Sequence, residues 1–160
     1  MLCDVDGVLT DGMVIMGGGR EFKRFHIQDG LGLRLLQKNG VRIGWISARP
    51  SPVTKQRADD LKIDFLHQAE ASKVTAAETI LRRAGLRWEQ VCFMGDDVVD
   101  MGALRRAGVA VAVANAIDEV KELAHYVTTR EGGDGAVREV ATWILKSQGT
   151  WAPLLRHFSE

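Results

Sequence analysis

The sequence predicts an α/β fold: a doubly wound, Rossmann-like parallel sheet with a small β-hairpin insertion. Three observations carry that expectation. Short apolar runs alternate with longer segments whose apolar residues recur at three and four, the pattern of strands followed by amphipathic helices. Runs such as "VAVAV" at 109–113 are apolar throughout, as strands covered by helices on both faces must be. The alternation breaks once, at "MVIMGGGREFKRFHI", where two strand-like runs flank a glycine triplet.

Taken in order, residues 2–5 form the first strand, and the turn residues of "CDVDGVLTDG" end it. Residues about 13–27 form the hairpin, with Gly17, Gly18 and Gly19 at its tip. These glycines lack a following Lys-Ser/Thr and open no helix, which argues against a phosphate loop. Further strands are expected at 41–46, 64–66, 91–94 and 109–113, and helices at 30–38, 51–61, 72–84, 97–107 and 118–123. A last helix spans about 134–146 and ends near Gly149. Residues 1–148 thus read as one domain and 149–160 as a C-terminal tail. Trp151, Leu154, Leu155 and Phe158 are too few to build a second core, so the tail is expected to dock on another surface.

Bulk properties narrow the function. The chain has 160 residues, enough for one domain with a proper core. Lys+Arg and Asp+Glu balance at 21 each without a basic stripe, which argues against nucleic acid or an anionic membrane surface as partner. No apolar run approaches the ~20 residues of a membrane span. Cys3 and Cys92 sit in apolar, strand-like contexts without repeated spacing, as expected of free thiols in a cytoplasmic protein. Met1, Leu2 and Cys3 alone precede Asp4, fewer than the about five or six residues of a buried central strand, so the natural chain is expected to begin earlier.

Ligands of doubly wound sheets bind beyond the carboxyl ends of the strands. Asp4 and Asp6 follow the first strand, Ser47 the next, and Asp96, Asp97 and Asp100 the strand at 91–94; Lys73 lies near the start of a helix. Adjacent carboxylates need a positive charge between them, and a divalent metal is the leading candidate. Plainer readings exist for each residue. Asp4, Asp6 and Ser47 could form turns, Asp97 and Asp100 could cap a helix, and Lys73 could be solvated. The convergence of carboxylates, hydroxyl and ammonium on one rim favours chemistry. His67, His125 and His157 have no metal-ligand spacing.

"DVDGVLTD", Ser47, Lys73 and "GDDVVD" resemble, in order and in position, the four motifs of the haloacid dehalogenase-like phosphohydrolases. "DGMVIMGGGREFKRFHIQDGLGLRLL", "ISARPS", "EGGDGAVREV" and "SQG" resemble the small 3-deoxy-D-manno-octulosonate 8-phosphate phosphatases, in which a hairpin stands in place of a cap domain, over essentially the whole chain. That resemblance implies an Mg²⁺-dependent phosphomonoester hydrolase of lipopolysaccharide precursor synthesis, acting through an aspartyl-phosphate. Asp4 would be the nucleophile and Asp6 the general acid and base, with Ser47 and Lys73 completing the catalytic set. Asp4, Asp96 and the Asp6 backbone carbonyl would hold the metal, supported by Asp97 and Asp100. Hard oxygen ligands suit Mg²⁺, and no Cys/His cluster competes for zinc.

By the same resemblance, the sugar acid would be contacted by His26, Ile27, Gln28, Asp29 and Gly30, and by Arg34, Arg49, Arg57 and Lys73. Arg34 and Arg57, read from sequence alone, would be surface salt-bridge partners, and His26 a hairpin residue. The family implies a homotetramer with hairpins packed around a central axis and substrate contacted across subunits; with only a hairpin over the site, the apolar and basic tail is expected to reach a neighbour's active-site mouth. The chain departs from the family at Ser47-Ala48-Arg49, where Thr-Gly-Arg is usual, and at His26 and Gln28, where Asn and Arg are frequent. Three other readings compete: a phosphatase of a nine-carbon sialic-type 9-phosphate, a receiver-like signalling domain, and a non-catalytic oligomerisation module. Asp6 argues against a receiver, which lacks an acid two residues beyond its phosphorylated aspartate.

Overall fold

The computed structural model describes residues 1–159. The chain runs β1 (Leu2–Asp4), β2 (Ile15–Gly17), β3 (Arg20–Phe22), α1 (Ile27–Lys38), β4 (Gly44–Ser47), α2 (Pro52–Asp60), β5 (Phe65–Gln68) and α3 (Lys73–Ala84). It continues through β6 (Cys92–Gly95), α4 (Met101–Leu104), β7 (Val109–Ala112), α5 (Asp118–Leu123), β8 (Tyr126–Val127), α6 (Ala136–Ser147) and α7 (Trp151–His157). β2 and β3 pair antiparallel as the hairpin, and the other six strands form one parallel sheet in the order β5-β4-β1-β6-β7-β8.

From β1 the chain builds outward through β4 and β5, returns to β1 with β6, and then builds the other way through β7 and β8. The direction of winding reverses between β1 and β6, which opens a crevice beyond their carboxyl ends. α1 packs on α6, α3 on α4, and α4 on α5. Right-handed crossovers put the first pair on one face of the sheet and the other three helices on the opposite face. Trp45, Ile46, Phe93, Met94 and Val111 are buried between the layers with Leu33 and Leu36 of α1.

The starts of α2 and α3 are fixed by hydroxyl caps. Ser51 accepts from the Thr54 N–H at 3.3 Å, with Pro52 in the first helical turn, and Ser72 accepts from the Thr75 N–H at 3.2 Å. The second cap puts Lys73 in the first turn of α3, at the crevice. At the end of α1, Gly40 takes φ +82°, and the Val41 N–H reaches back to the Leu36 carbonyl at 3.1 Å. Val41 is therefore part of a helix end, and β4 begins at Gly44 instead of residue 41.

Other expectations shift as well. The hairpin strands are shorter than 13–27, because His26 caps α1 and Ile27 already belongs to it. The segment 97–107 is a 3-10 turn, Val98–Asp100, followed by the single turn of α4. β8 is too short to give a periodic signal; the His125 and Thr128 N–H groups tie its ends to β7 carbonyls at 2.9 Å. The tail is not an extended arm. Gly149 (φ +70°) turns the chain into α7, where Trp151 and Leu154 pack against this chain's own core and the Arg138 guanidinium stacks 5.5 Å from the Trp151 ring centre. Glu160, the last residue of the expected tail, lies outside the described residues.

Asp29 has a structural position that differs from its expected place among the sugar contacts. It is buried, and its Oδ1 accepts from the Arg138 N–H at 2.7 Å, so it caps the first turn of α6 from across the α1–α6 interface. Asp29→Ala is expected to lower the free energy of unfolding by about 1–2 kcal/mol, the cost of a lost cap, with Asp29→Asn milder because an acceptor remains. Urea denaturation checks this; an unchanged midpoint in Asp29→Ala would show that the carboxylate does not hold α6 to α1.

Candidate active site

Asp4 ends β1 and faces the crevice. Its Oδ1 accepts from the Val5 N–H at 2.7 Å and from Lys73 Nζ. Lys73 is buried, donates to the Ile46 carbonyl at 3.0 Å, and lies 3.5 Å from Asp100 Oδ1. One ammonium group thus ties together the ends of β1 and β4 and the loop after β6. Asp100 is wholly buried, and its Oδ2 accepts from the N–H groups of Asp96 at 3.0 Å and Asp97 at 3.4 Å. That back-bonding curls "GDDVVD" into its tight turn and swings Asp96 toward Asp4. Asp97 caps the same turn through its bond from the Val98 N–H at 2.7 Å.

Close backbone approach makes this crowding feasible. Gly7 has φ +101°, and a Cβ on it would lie 2.0 Å from Asp96 Oδ2. A Cβ on Gly132 would lie 1.7 Å from the Gly7 carbonyl oxygen, so the "EGGDG" loop presses directly on the turn behind Asp4. The Gly133 N–H donates to the Val8 carbonyl at 3.0 Å and completes the contact.

The Asp6 carboxylate has a separate set of partners. Its Oδ1 accepts from Lys23 Nζ at 2.6 Å, and its Oδ2 lies 3.4 Å from Ser47 Oγ. Ser47 Oγ accepts from the Arg49 N–H at 3.1 Å, and the Arg49 side chain donates to Glu21 Oε1 at 2.5 Å. Burial pushes Glu21 up, but the bond from Arg49 and the charges of Lys23 and Arg49 outweigh it and hold the carboxyl below its ordinary value. A cavity of about 200 Å³ separates the two groups of residues, with Asp4, Asp6, Ser47, Arg49, Lys73 and Asp96 in its wall.

Other residues predicted as sugar contacts are spread more widely. Arg34 points down α1, where it donates to Gln37 Oε1 at 2.9 Å and the Leu61 carbonyl at 3.1 Å, clamping α1 to the end of α2. Arg57 packs on Gly30, where a Cβ would meet its Nη2 at 2.7 Å. Ile27 and Gln28 are exposed on the first turn of α1, and His26 Nε2 is 4.0 Å from Asp134 Oδ1 at the crevice edge. Sequence reasoning missed Lys23 and Glu21. Their spacing of two around Phe22, on the hairpin's returning strand, was the available signal.

Charge is unbalanced at the crevice. Burial, then the Asp4, Asp100 and Asp97 carboxylates, push Asp96 up to about 8. Asp4 is raised to about 6, by burial first and Asp100 next, while Lys73 opposes the rise. Oxygens of Asp4, Asp96 and Asp100 all lie within 4.8 Å of one another. Asp96 Oδ1 and Asp100 Oδ1 are buried without a hydrogen-bond donor. Hard oxygen acceptors, closely grouped and lacking donors, fit a small divalent cation such as Mg²⁺. The Asp6 carboxylate is not part of that group.

Comparison with known proteins agrees with this geometry. Residues 63–140 match the family model of haloacid dehalogenase-like hydrolases. The 3-deoxy-D-manno-octulosonate 8-phosphate phosphatase of Yersinia pestis is 40% identical over 149 residues, covering 92% of this chain and 80% of the relative. The crystal structure of the same-named phosphatase from Moraxella catarrhalis, in complex with magnesium ion, phosphate ion and a KDO molecule, superposes with a TM-score of 0.95 at 37% identity, over 98% of this chain and 91% of that one. The cobalt-bound deoxy-D-mannose-octulosonate 8-phosphate phosphatase of Haemophilus influenzae gives 0.91 at 38% identity, over 94% and 88% of the two chains. The chain belongs to the 3-deoxy-D-manno-octulosonate 8-phosphate phosphatase family of haloacid dehalogenase-like hydrolases.

Proposed function

We propose that this protein hydrolyses 3-deoxy-D-manno-octulosonate 8-phosphate to the free sugar acid and phosphate. The observation that carries the reading is the pair of aspartates two residues apart with separate partners. Asp4 lies with Lys73, Asp96 and Asp100, and Asp6 lies with Ser47 and Lys23. Phosphoryl transfer through an enzyme carboxylate needs one group that becomes phosphorylated and another that moves protons, and a single residue cannot do both.

In this reading an Asp4 carboxylate oxygen attacks phosphorus, and the bond from phosphorus to the sugar oxygen breaks. Asp6 gives its proton to that departing oxygen. A water then attacks the phosphorus of the acyl-phosphate while Asp6 takes the water's proton, and phosphate and a free Asp4 are regenerated. Lys73 keeps Asp4 oriented and offsets the repulsion between a carboxylate and a phosphate dianion. That repulsion is roughly 4 kcal/mol per unit-charge pair at 4 Å and an effective dielectric near 20. Ser47 would donate to a phosphoryl oxygen. Asp4, Asp96 and the Asp6 carbonyl would hold Mg²⁺, with Asp100 and Asp97 supporting the loop; when bound, the ion neutralises charge on the transferring phosphoryl group. Arg49 lines the cavity and is the guanidinium for the sugar carboxylate, while Ile27 and Gln28 face solvent and half-buried His26 lies beside Asp134, where a second subunit could bring them to substrate.

The same reading places the protein in the cytoplasm as a homotetramer, with residues 1–148 as the phosphatase domain and the hairpin replacing a cap. Its support is the amount of exposed apolar surface on the hairpin and α1, unusual for a monomer. Met13, Ile15, Met16 and Phe22 of the hairpin and Ile27 and Leu31 of α1 are all exposed, Met16 at 74% and Ile27 at 75%. Among the described residues, no helix is long and apolar enough to cross a membrane.

Asp4→Asn is expected to abolish phosphate release from the sugar-acid phosphate, and Asp6→Asn to lower kcat by about 10²–10⁴-fold. Near-wild-type activity in either purified variant would overturn its role, and a higher kcat/KM on a nine-carbon 9-phosphate would reassign the substrate.

Metal binding has a sign that can be checked. Between the ordinary carboxylate value of 3.8 and about 8, the folded metal-free protein keeps protons on Asp96 that the unfolded chain releases. Its stability therefore falls as pH rises through that window. Mg²⁺ must displace those protons, so the Mg²⁺-induced gain in Tm should grow from pH 6 to pH 8 and lose that growth in Asp96→Asn. A gain independent of pH would remove Asp96 protonation from the energetics of metal binding.

For assembly, the Val14→Ser/Ile15→Ser double variant should give species smaller than a tetramer by light scattering, with reduced activity. A fully active wild-type monomer would overturn the tetramer.

A further inference from the structure

Lys23 carries a buried side-chain charge next to the crevice that the reaction as written does not use. Its side chain is 1% exposed, and its Nζ donates to Asp6 Oδ1 at 2.6 Å and to Thr54 Oγ1 at 3.2 Å. Thr54 is itself fully buried on α2, and Glu21 Oε1 lies 3.7 Å from the same ammonium. Lysines are seldom buried this far without a fixed task. The hairpin supplies this one at the end of β3: Glu21 on the strand and Lys23 just past it turn inward while Phe22 between them stays exposed. The small insertion therefore sends a charge into the site from outside the sheet.

We propose that Lys23 is a positioning residue for the general acid and base, an inference that rests on the role of Asp6 given above. Asp6 has two carboxylate oxygens and only one can serve the leaving group. Lys23 fixes Oδ1 against Thr54 and the hairpin. That leaves Oδ2 as the oxygen turned to Ser47 and the cavity, where it exchanges a proton with the departing sugar oxygen and later with water. Glu21 extends the arrangement, since it faces Lys23 and accepts from Arg49. Without the ammonium the Asp6 side chain is free to leave its productive rotamer, and proton transfer becomes the slow event.

A residue that only stabilises the fold would affect every substrate alike, whereas one that positions a proton donor matters most where the leaving group needs a proton. The test compares kcat/KM, which reports steps through phosphorus–oxygen cleavage, on two esters. The sugar-acid phosphate leaves as an alkoxide that must be protonated; p-nitrophenyl phosphate leaves as a stable phenolate. Lys23→Met should lower kcat/KM on the sugar-acid phosphate by about 10–100-fold and on p-nitrophenyl phosphate by no more than about threefold, a share of what the acid–base group itself contributes. Lys23→Arg should restore part of the loss, and the gain in Tm with Mg²⁺ should match wild type. Thr54→Val, which removes the second anchor of the ammonium, should give the same ester-selective loss in smaller measure and serves if Lys23→Met does not fold. Asp6→Asn is measured beside them. If it is ester-selective while Lys23→Met and Thr54→Val slow both esters equally or neither, the positioning role is overturned alone. If Asp6→Asn is not selective, the acid–base role falls and the proposal with it.

Discussion

Carboxylates crowded at one edge of a sheet repel one another, and the architecture around β1 and β6 is arranged around that repulsion. Asp4, Asp96 and Asp100 bring their oxygens within 4.8 Å. Lys73 answers part of the charge, bonding to Asp4 and lying 3.5 Å from Asp100. The N–H groups of Asp96 and Asp97 answer another part through Asp100 Oδ2. Neither reaches Asp96 Oδ1, which is buried and without a donor, and it is Asp96 whose proton affinity rises furthest. The imbalance is greatest where a cation fits, so a bound ion offsets what Lys73 and the N–H groups leave.

The backbone behind the cluster bears the same constraint. Gly7 admits the Asp96 carboxylate because it has no side chain, and Gly132 seats against Gly7 for the same reason. Gly132 is tied through its N–H to Asn115 Oδ1 at 2.8 Å, just beyond β7. The loop that carries it leads directly into α6, whose first turn is held by Asp29 of α1. A chain of contacts thus runs from the carboxylates to the α1–α6 interface. Asp29 serves that chain from inside the fold, which accounts for a carboxylate in the "FHIQDG" segment that does not face the cavity.

The strand–helix alternation made the sheet legible in the sequence, and the rule that ligands bind beyond strand ends located Asp4, Asp6, Ser47, Lys73 and the aspartates after β6. Features set by tertiary partners were not legible. The end of α1 depends on backbone bonds from Asn39, Gly40 and Val41 back to the Leu36 and Gln37 carbonyls, and β8 exists because β7 offers its edge. The apolar residues of the tail indicated docking, but no periodicity specifies a surface; here Trp151 meets Arg138 of the same chain. Arg34 shows the same limit. A guanidinium one turn from a binding segment reads equally well as a sugar contact or a clamp, and in this structure Arg34 bonds the Leu61 carbonyl. Lys23 escaped notice because a lysine in a glycine-rich hairpin is ordinarily solvated.

The hairpin joins two demands that are usually met by separate elements. A two-stranded ribbon cannot bury a core of its own and must lean on something larger. On one face it leans on this chain, through Lys23 to Asp6 and Thr54 and through Glu21 to Arg49. On the other it presents Phe22 and its cross-strand partner Ile15, an exposed apolar surface that water alone covers poorly. Because neighbouring side chains on a strand point to opposite faces, the inward charges and the outward Phe22 share one short piece of backbone. A change in the register of that backbone would disturb both at once. Packing the outer face against another subunit would therefore stiffen the inner one, and with it the hold on Asp6. In an enzyme with a hairpin in place of a cap domain, that coupling would give assembly a direct physical route to the chemistry.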